Sequence, residues 1–471
     1  MTKTLETIHA FIWGAPTLVL ILGVGLYLSI RTGFAQVCLF PRAITSLVRR
    51  NRISYAQPGN VSPFRALCTA LASTVGTGNL AGVAGAIAIG GPGAIFWMWI
   101  SGLLGMITKF AEVALAVRFR IRQGGDYVGG PMYVISQGMG KRYRFLSVFY
   151  SFFGIVAAFG VGNATQINAL IGGISSAVTA MGGTLSGSGE FLIGILLAGV
   201  IAALMLGGIR RIGSAAEAVI PFASVLYIFL CLGVLIVCRD AIPAAFSSIL
   251  IGAFSPRAVT GGMVGSAFQA LRVGMSRGVF TNEAGMGTAS IAHAAAKVSH
   301  PAEQGLLGIL EVFLDTIVIC TMTGLVILCS GVAIPYGTDE GILLTGRAFS
   351  QVYGGWVTVL IALLLVLFSL ATVLGWGLYG ARCAQYLFGV NAWRPFVFLQ
   401  AGTVILSTLL QTGTVWLLSE IVNGLMAIPN LIALAALSGE LVRLTKNYQS
   451  IFIGKAADGG TYEDFYQCKP L

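Results

Sequence analysis

Charge is scarce in this chain. Only 10% of its 471 residues are Asp, Glu, Lys or Arg, and 56% are hydrophobic, where a soluble globular protein carries roughly 25% charge. That scarcity excludes a water-exposed globular body and makes lipid the main solvent. Histidine is scarcer still: His9, His293 and His300 all fall at expected helix ends or in loops, which argues against a histidine proton relay across a membrane. The eight cysteines include no CxxC pair, so neither a disulfide framework nor a zinc site is expected. No HExxH and no Ser–His pair at depth occurs, which removes the usual machinery of an intramembrane hydrolase. Ten-residue segments of alternating hydrophobicity are also missing, which excludes a transmembrane barrel. The net charge of +11 comes from basic residues dispersed between apolar segments, without the stripe that a nucleic-acid partner requires.

What the chain has instead is long apolar runs, such as 191–206 and 357–370. About 20 apolar helical residues cross a bilayer. Hydropathy and breakers place about eleven membrane helices, near 11–30, 62–89, 93–117, 146–178, 190–207, 214–238, 258–290, 303–333, 356–388, 393–411 and 415–440. The first run shows no small-residue cleavage site and is expected to be a retained helix. With the N-terminus outside, 22 of the 28 Lys and Arg residues fall on the inner side and only Lys3, Arg239, Arg257 and Arg347 on the outer. The positive-inside rule therefore orients the C-terminus inside.

From the second span onward the helices divide into two sets of five, and an odd number per set inverts the second relative to the first. Inverted repeats of this kind are a transporter architecture, and Gly-interrupted helices at corresponding positions mark its binding site. The opening span of each set is interrupted in this way, at 72–82 and at 261–278. The first interruption reads Ala72-Ser73-Thr74-Val75-Gly76-Thr77-Gly78-Asn79 without a charge. Glycine weakens a helix interior by about 1 kcal/mol relative to alanine, and backbone freed inside hydrocarbon needs partners. A zwitterion and a hard cation supply them: the carboxylate at the amide-rich start of a half-helix, the cation at freed carbonyls and hydroxyls. Close helix packing through Gly78 and Gly82 is the plainer reading. It accounts for the glycines but not for Thr74, Thr77 and Asn79 together.

Asn163 and Gln166 lie three residues apart, as do Ser369 and Thr372, with Trp376 four beyond. Each set therefore shares a helix face that could line the same cavity, although for any single Ser or Thr an interhelical hydrogen bond is the commoner explanation. Phe268, Leu271, Gly274 and Met275 are expected as an apolar wall sized for a short side chain. Arg272, Arg277 and Glu283 are expected as a structural or gating ion pair toward the inner face rather than as substrate contacts. Glu112, Glu217, Glu311 and Asp315 are expected to pair in part with Lys109 or these arginines.

The motifs Pro58-Gly59-Asn60, the run 74–82, Gly129-Gly130-Pro131-Met132-Tyr133 and Asn282-Glu283-Ala284-Gly285-Met286-Gly287 together resemble the alanine or glycine:cation symporter family, across nearly the whole chain. The resemblance implies an all-α polytopic membrane protein with a 5+5 inverted repeat of the amino acid–polyamine–organocation (LeuT-like) type and one extra N-terminal helix. Its parts would be 1–61, the extra helix and a cytoplasmic linker; 62–240 and 258–440, the two repeats; and 441–471, a cytoplasmic tail. It also implies a bacterial or archaeal cytoplasmic membrane and sodium as coupling ion. The run 74–79 further resembles the unwound first helix of neurotransmitter:sodium symporters. That similarity assigns the substrate to Thr74, Gly76, Thr77, Gly78, Asn79, Gln166, Phe268, Leu271, Thr372 and Trp376. It assigns sodium to the carbonyls of Ala72 and Val75 with Ser369 and Thr372, and Asn79 to the help of a second sodium.

The expected activity is sodium-coupled symport of a small neutral amino acid, alanine or glycine, by alternating access. Proton coupling is the alternative. A solute or ion channel ranks lower, since it would need a continuous hydrated pathway, often ringed by charge or carbonyls.

Overall fold

The computed structural model describes residues 2–48, 59–254, 267–338, 341–409 and 412–454. Pro58 of the first motif, positions 261–266 of the second interruption and the tail beyond 454 lie outside the described residues. Seven helical runs among them are long and apolar enough to cross a membrane, or eight with one bent pair counted as a single span. A shorter apolar helix, α1 (Ala15–Arg31), precedes them.

The bent pair is the span expected at 62–89. Its first half, α2 (Pro63–Thr74), begins with Ser62 as N-cap, whose hydroxyl accepts from the Arg65 N–H, and with Pro63 at the first helical position, where a missing N–H costs nothing. Its second half is a π-turn at Gly78–Gly82 followed by α3 (Val83–Gly90). The two halves meet at 50°. Next comes α4 (Gly93–Arg118), then a hairpin of β1 (Ile121–Gln123) and β2 (Asp126–Val128). Gly124 and Gly125, both at positive φ, make its two-residue turn.

The following span bends as well, from α5 (Arg144–Phe159) through a π-turn at Gly160–Ala164 into α6 (Thr165–Ala180). After α7 (Gly187–Met205) and α8 (Gly208–Val237) come α9 (Ala267–Asn282) and the short α10 (Thr288–His293). Then α11 (Pro301–Val312) continues through a π-helical stretch, Phe313–Cys320, into α12 (Thr321–Cys329). The described residues end with α13 (Val357–Phe388), α14 (Trp393–Ser407), α15 (Thr412–Ala436) and α16 (Ser438–Gly454).

Helix α13 packs against α2, α5, α6 and α8, while α4 lies against both α9 and α11. Helix α13 supplies one wall of the site, and α4 braces the stretch after α9 that supplies another. One end of the bundle is basic and tied by ion pairs, Arg382 to Asp126 of the hairpin (3.1 Å) and Arg118 to Glu440 (2.9 Å). A cavity of about 710 Å³ opens there beside Arg382, Trp393 and Arg394.

The described part of the second expected interruption, 267–278, is continuous helix. Gly274 and Gly278 sit in unbroken helix α9, where they let α4 approach: a Cβ at Gly274 would stand 2.3 Å from the Ala94 carbonyl oxygen, and one at Gly278 2.7 Å from Ser101 Oγ. Here small residues serve close packing. The break comes later, between α9 and α10, within the motif 282–287.

Candidate functional site

In the first broken span, the last helical bond of α2 runs from the Val75 N–H to the Leu71 carbonyl (2.8 Å). The Gly76 N–H turns instead to Asn79 Oδ1 (2.8 Å). The carbonyls of 72–75 are thereby left at a helix end, where the last four have no intrahelical partner, and the next helical stretch begins only at Gly78. Gly76 is required here because a Cβ would meet Thr372 Oγ1 at 2.8 Å.

The second break stands against the first: a Cβ at Gly78 would meet Thr281 Cγ2 at 2.9 Å. Glu283, Gly285 and Gly287 take φ of +54, +96 and +77. The left-handed conformation costs a non-glycine residue roughly 1–2 kcal/mol, so Glu283 must be held there. Glu112 of α4 does so from the side: its Oε1 accepts from the N–H groups of Gly285 (2.8 Å) and Gly287 (3.0 Å) and from Asn430 Nδ2 (2.8 Å). Asn282 Oδ1 accepts from the Ala284 N–H (2.9 Å). The unwound backbone at 283–287 is thus pinned by buried side chains.

Between the breaks lies a small cavity lined by Ser73, Thr74, Gly76, Thr77, Gly78, Val161, Gln166, Phe280, Glu283, Thr372 and Trp376. Its volume of about 10 Å³ is what one water needs, so the walls must part to admit an amino acid. Thr77 Oγ1 donates to Gln166 Oε1 (3.2 Å), and Thr372 Oγ1 donates to the Phe368 carbonyl (2.9 Å). One turn from Thr372, the fully buried Ser369 Oγ has no hydrogen-bond partner. Ala72, Val75, Ser369 and Thr372 are all buried on the two elements facing this gap. A hard cation fits their neutral oxygens.

Of the ten residues expected at the substrate, the structure brings Thr74, Gly76, Thr77, Gly78, Gln166, Thr372 and Trp376 to the cavity wall. Asn79 is behind it. Beyond capping Gly76, its Nδ2 donates to Asp315 Oδ1 (2.7 Å), so its amide is spent on holding the break to the π-helical stretch of the α11–α12 span. Phe268 is 60% exposed and Leu271 half-buried on the first turns of α9, and neither lines the cavity. Because the break falls at 283–287, Phe280 makes the apolar wall in their place. Asn163 also points elsewhere, donating to the Gln400 carbonyl (3.0 Å) of α14. The π-turn at 160–164 shifts the register, so the face-sharing that three-residue spacing gives in an α-helix does not carry through.

The charged residues depart further from expectation. Arg277 pairs with Glu420 of α15 (3.1 Å), and Trp13, Gln269 and Arg272 line a cavity beside that pair. This is the end of the bundle opposite the basic one, hence the outer end in the expected orientation rather than the inner. Glu283 takes no part in the pair and faces the central cavity. Lys109 does pair with Glu311 (3.3 Å, both fully buried), and Glu311 reaches His293 Nε2 (3.1 Å). His293, expected at a helix end or in a loop, ends α10 and is fully buried. Glu217 pairs with Arg65 instead (2.9 Å).

A family model described as "Sodium:alanine symporter family" matches residues 1–458. The chain belongs to this family. Its relatives within the sodium:alanine symporter family include the "Sodium/alanine symporter AgcS" of Methanococcus maripaludis, 41% identical over 453 residues that cover 95% of this chain and 97% of that one. An "Uncharacterized transporter" of Haemophilus influenzae is 42% identical over 455 residues, covering 94% and 95%. The "Amino-acid carrier protein AlsT" of Bacillus subtilis is 36% identical over 443 residues, covering 93% and 90%. Among solved structures, MhsT in complex with L-phenylalanine matches with a TM-score of 0.58 at 15% identity, over 81% of this chain and 90% of that one. This likeness shows a shared helical fold; membership of the family, together with the apolar spans, makes the chain a multi-pass membrane protein of the secondary-transporter kind.

Proposed function

We propose that this protein carries a small neutral amino acid, alanine or glycine, into the cell together with sodium, by alternating access. In this reading the helices form two inverted sets of five, over 62–240 and 258–440, behind one extra N-terminal helix. The protein lies in the cytoplasmic membrane of a bacterium or archaeon, with its N-terminus outside and its basic end inside. The observation that carries the reading is the meeting of two interrupted helices, at 75–77 and 283–287, around one cavity at mid-depth. Backbone freed from helical bonding is tolerated within a membrane only where it is buried in protein or lines a hydrated cavity, and paired breaks at a repeat interface are where transporters bind their cargo.

The substrate carboxylate would take the Thr77 hydroxyl and the amides around Gly78 at the positive end of the second half-helix. Gln166, Phe280 and Trp376 would close round a short side chain. Sodium would take the carbonyls of Ala72 and Val75 with the hydroxyls of Ser369 and Thr372, joining the broken span to α13. Binding of the ion then favours the closed arrangement of these two elements, which is also the one that grips the amino acid. Coupling is this shared preference for one state. One positive charge moving inward through 100 mV releases about 2.3 kcal/mol, enough to concentrate substrate roughly fiftyfold at one-to-one stoichiometry.

The test is uptake of labelled alanine into proteoliposomes with an inward sodium gradient, compared with potassium at the same pH and potential. Uptake above equilibrium is expected with sodium alone. Equal accumulation in potassium would refute sodium coupling, and accumulation that follows an imposed proton gradient would favour proton coupling.

A further inference from the structure

We infer that Glu283 supplies the negative pole of the substrate site and takes the ammonium group of the bound amino acid. The inference rests on the reading above that the cavity between the two breaks is the amino acid site, and it deepens that reading.

Glu283 is the only ionisable residue on the cavity wall; the other ten are neutral. Each charge of a buried zwitterion needs a partner to offset its desolvation, and Glu283 is the group of opposite charge that this wall offers to an ammonium. The first break answers the carboxylate, with the Thr77 hydroxyl and the amides that follow it. Glu283 stands at the second break, so the two interruptions present opposite polarity to one small space.

The local structure holds this carboxylate in place. Its backbone is left-handed at φ +54, and Glu112 pins the glycine amides that follow it. Thr288 Oγ1 donates to one of its oxygens, and the Trp376 side chain is a second donor in reach. Both donors are neutral. Among the described residues Glu283 has no ion-pair partner; Lys109, a cation whose charge reaches it, is in contact with Glu311. A buried ionisable group inside a membrane is expected to serve a pathway, a pair or a ligand. No pair is present, and the group faces the cavity.

The consequence is a rule for substrates: compounds with an ammonium group are accepted, and the equivalent carboxylic acids without one are refused. Competition against labelled alanine uptake in proteoliposomes tests it, using alaninamide, which keeps the ammonium, and propionate, which keeps only the carboxylate. In the unaltered protein alaninamide is expected to compete and propionate not. In Glu283→Gln the apparent KM for alanine is expected to rise about tenfold or more, the loss of one charge-assisted hydrogen bond, and alaninamide competition is expected to vanish. Glu283→Asp should fall between the two.

Propionate competing as well as alaninamide in the unaltered protein would overturn the inference without need of any variant. So would Glu283→Gln with an unchanged KM, or a variant whose sodium requirement shifts while its discrimination between the two analogues stays intact, since the carboxylate would then serve the ion. Thr77→Val separates this failure from that of the site itself. If Thr77→Val weakens alanine binding and Glu283→Gln does not, the site stands and only the ammonium role falls; if neither affects it, the cavity is not the amino acid site.

Discussion

Replacing Lys109 by methionine is expected to cost the folded protein about 3–5 kcal/mol, the usual consequence of stripping one partner from a buried ion pair. Lys109 and Glu311 are both wholly shielded, 3.3 Å apart, and methionine fills the lysine stem without replacing its charge. Glu311 would be left with His293 alone, and Glu112 and Glu283, which also feel the lysine, would lose its positive charge. The melting temperature of detergent-purified protein should fall by several degrees, with reduced yield. The double variant Lys109→Met with Glu311→Leu should recover part of the loss, because an apolar pair leaves no orphaned charge between α4 and α11. A single variant that melts like the unaltered protein would mean the pair lies open to water.

Asn79→Leu is expected to abolish alanine uptake, though Asn79 does not line the cavity. The amide closes the first break by accepting from the Gly76 N–H and anchors it by donating to Asp315. Leucine removes both bonds and leaves Asp315 with Thr316 as its remaining side-chain donor, a buried carboxylate short of partners at a cost of about 1–3 kcal/mol or more. Uptake should drop to the background of empty liposomes while membrane insertion continues, since the span loses no hydrophobicity. Insertion with full uptake would show that the break keeps its shape without this pin.

The first interruption is legible in the sequence because its signal is local. Two glycines flanking a threonine, inside an uncharged run, have no packing rationale that also covers the hydroxyls. The second is displaced because glycine has two uses inside a membrane, and composition does not separate them. Gly274 and Gly278 bring α9 against α4, whereas Gly285 and Gly287 supply left-handed turns. What distinguishes the second pair is Glu112, 173 and 175 residues away, and no reading of a single segment reveals such a partner. The positions of Phe280 and Glu283 on the cavity wall follow from that displacement.

Asn163 illustrates a different limit. Its spacing from Gln166 implies one face only while the helix is regular, and the π-turn beginning at Gly160 breaks that condition. A Cβ at Gly162 would run into Trp376 Cβ of α13, and one at Gly160 would meet Ser419 Oγ of α15 at 2.9 Å, so the two glycines of this turn let two different helices come close. Charged residues at depth carry the least information about their partners. Position within or near the end of a span marks Glu112 and Glu311 as candidates to pair with Lys109, but the partners each finds, and the burial of His293 among them, depend on how α4, α10 and α11 come together.

The account depends on the opened backbone at 75–78 holding the carboxylate of the amino acid when sodium is present. The most direct measurement is the dipolar coupling between carboxyl-labelled alanine and the amide nitrogens of Thr77 and Gly78, taken by solid-state magnetic resonance on reconstituted protein. A strong coupling in sodium that is lost in potassium is the result expected. Bound alanine with no coupling to either amide, in sodium, would contradict the account.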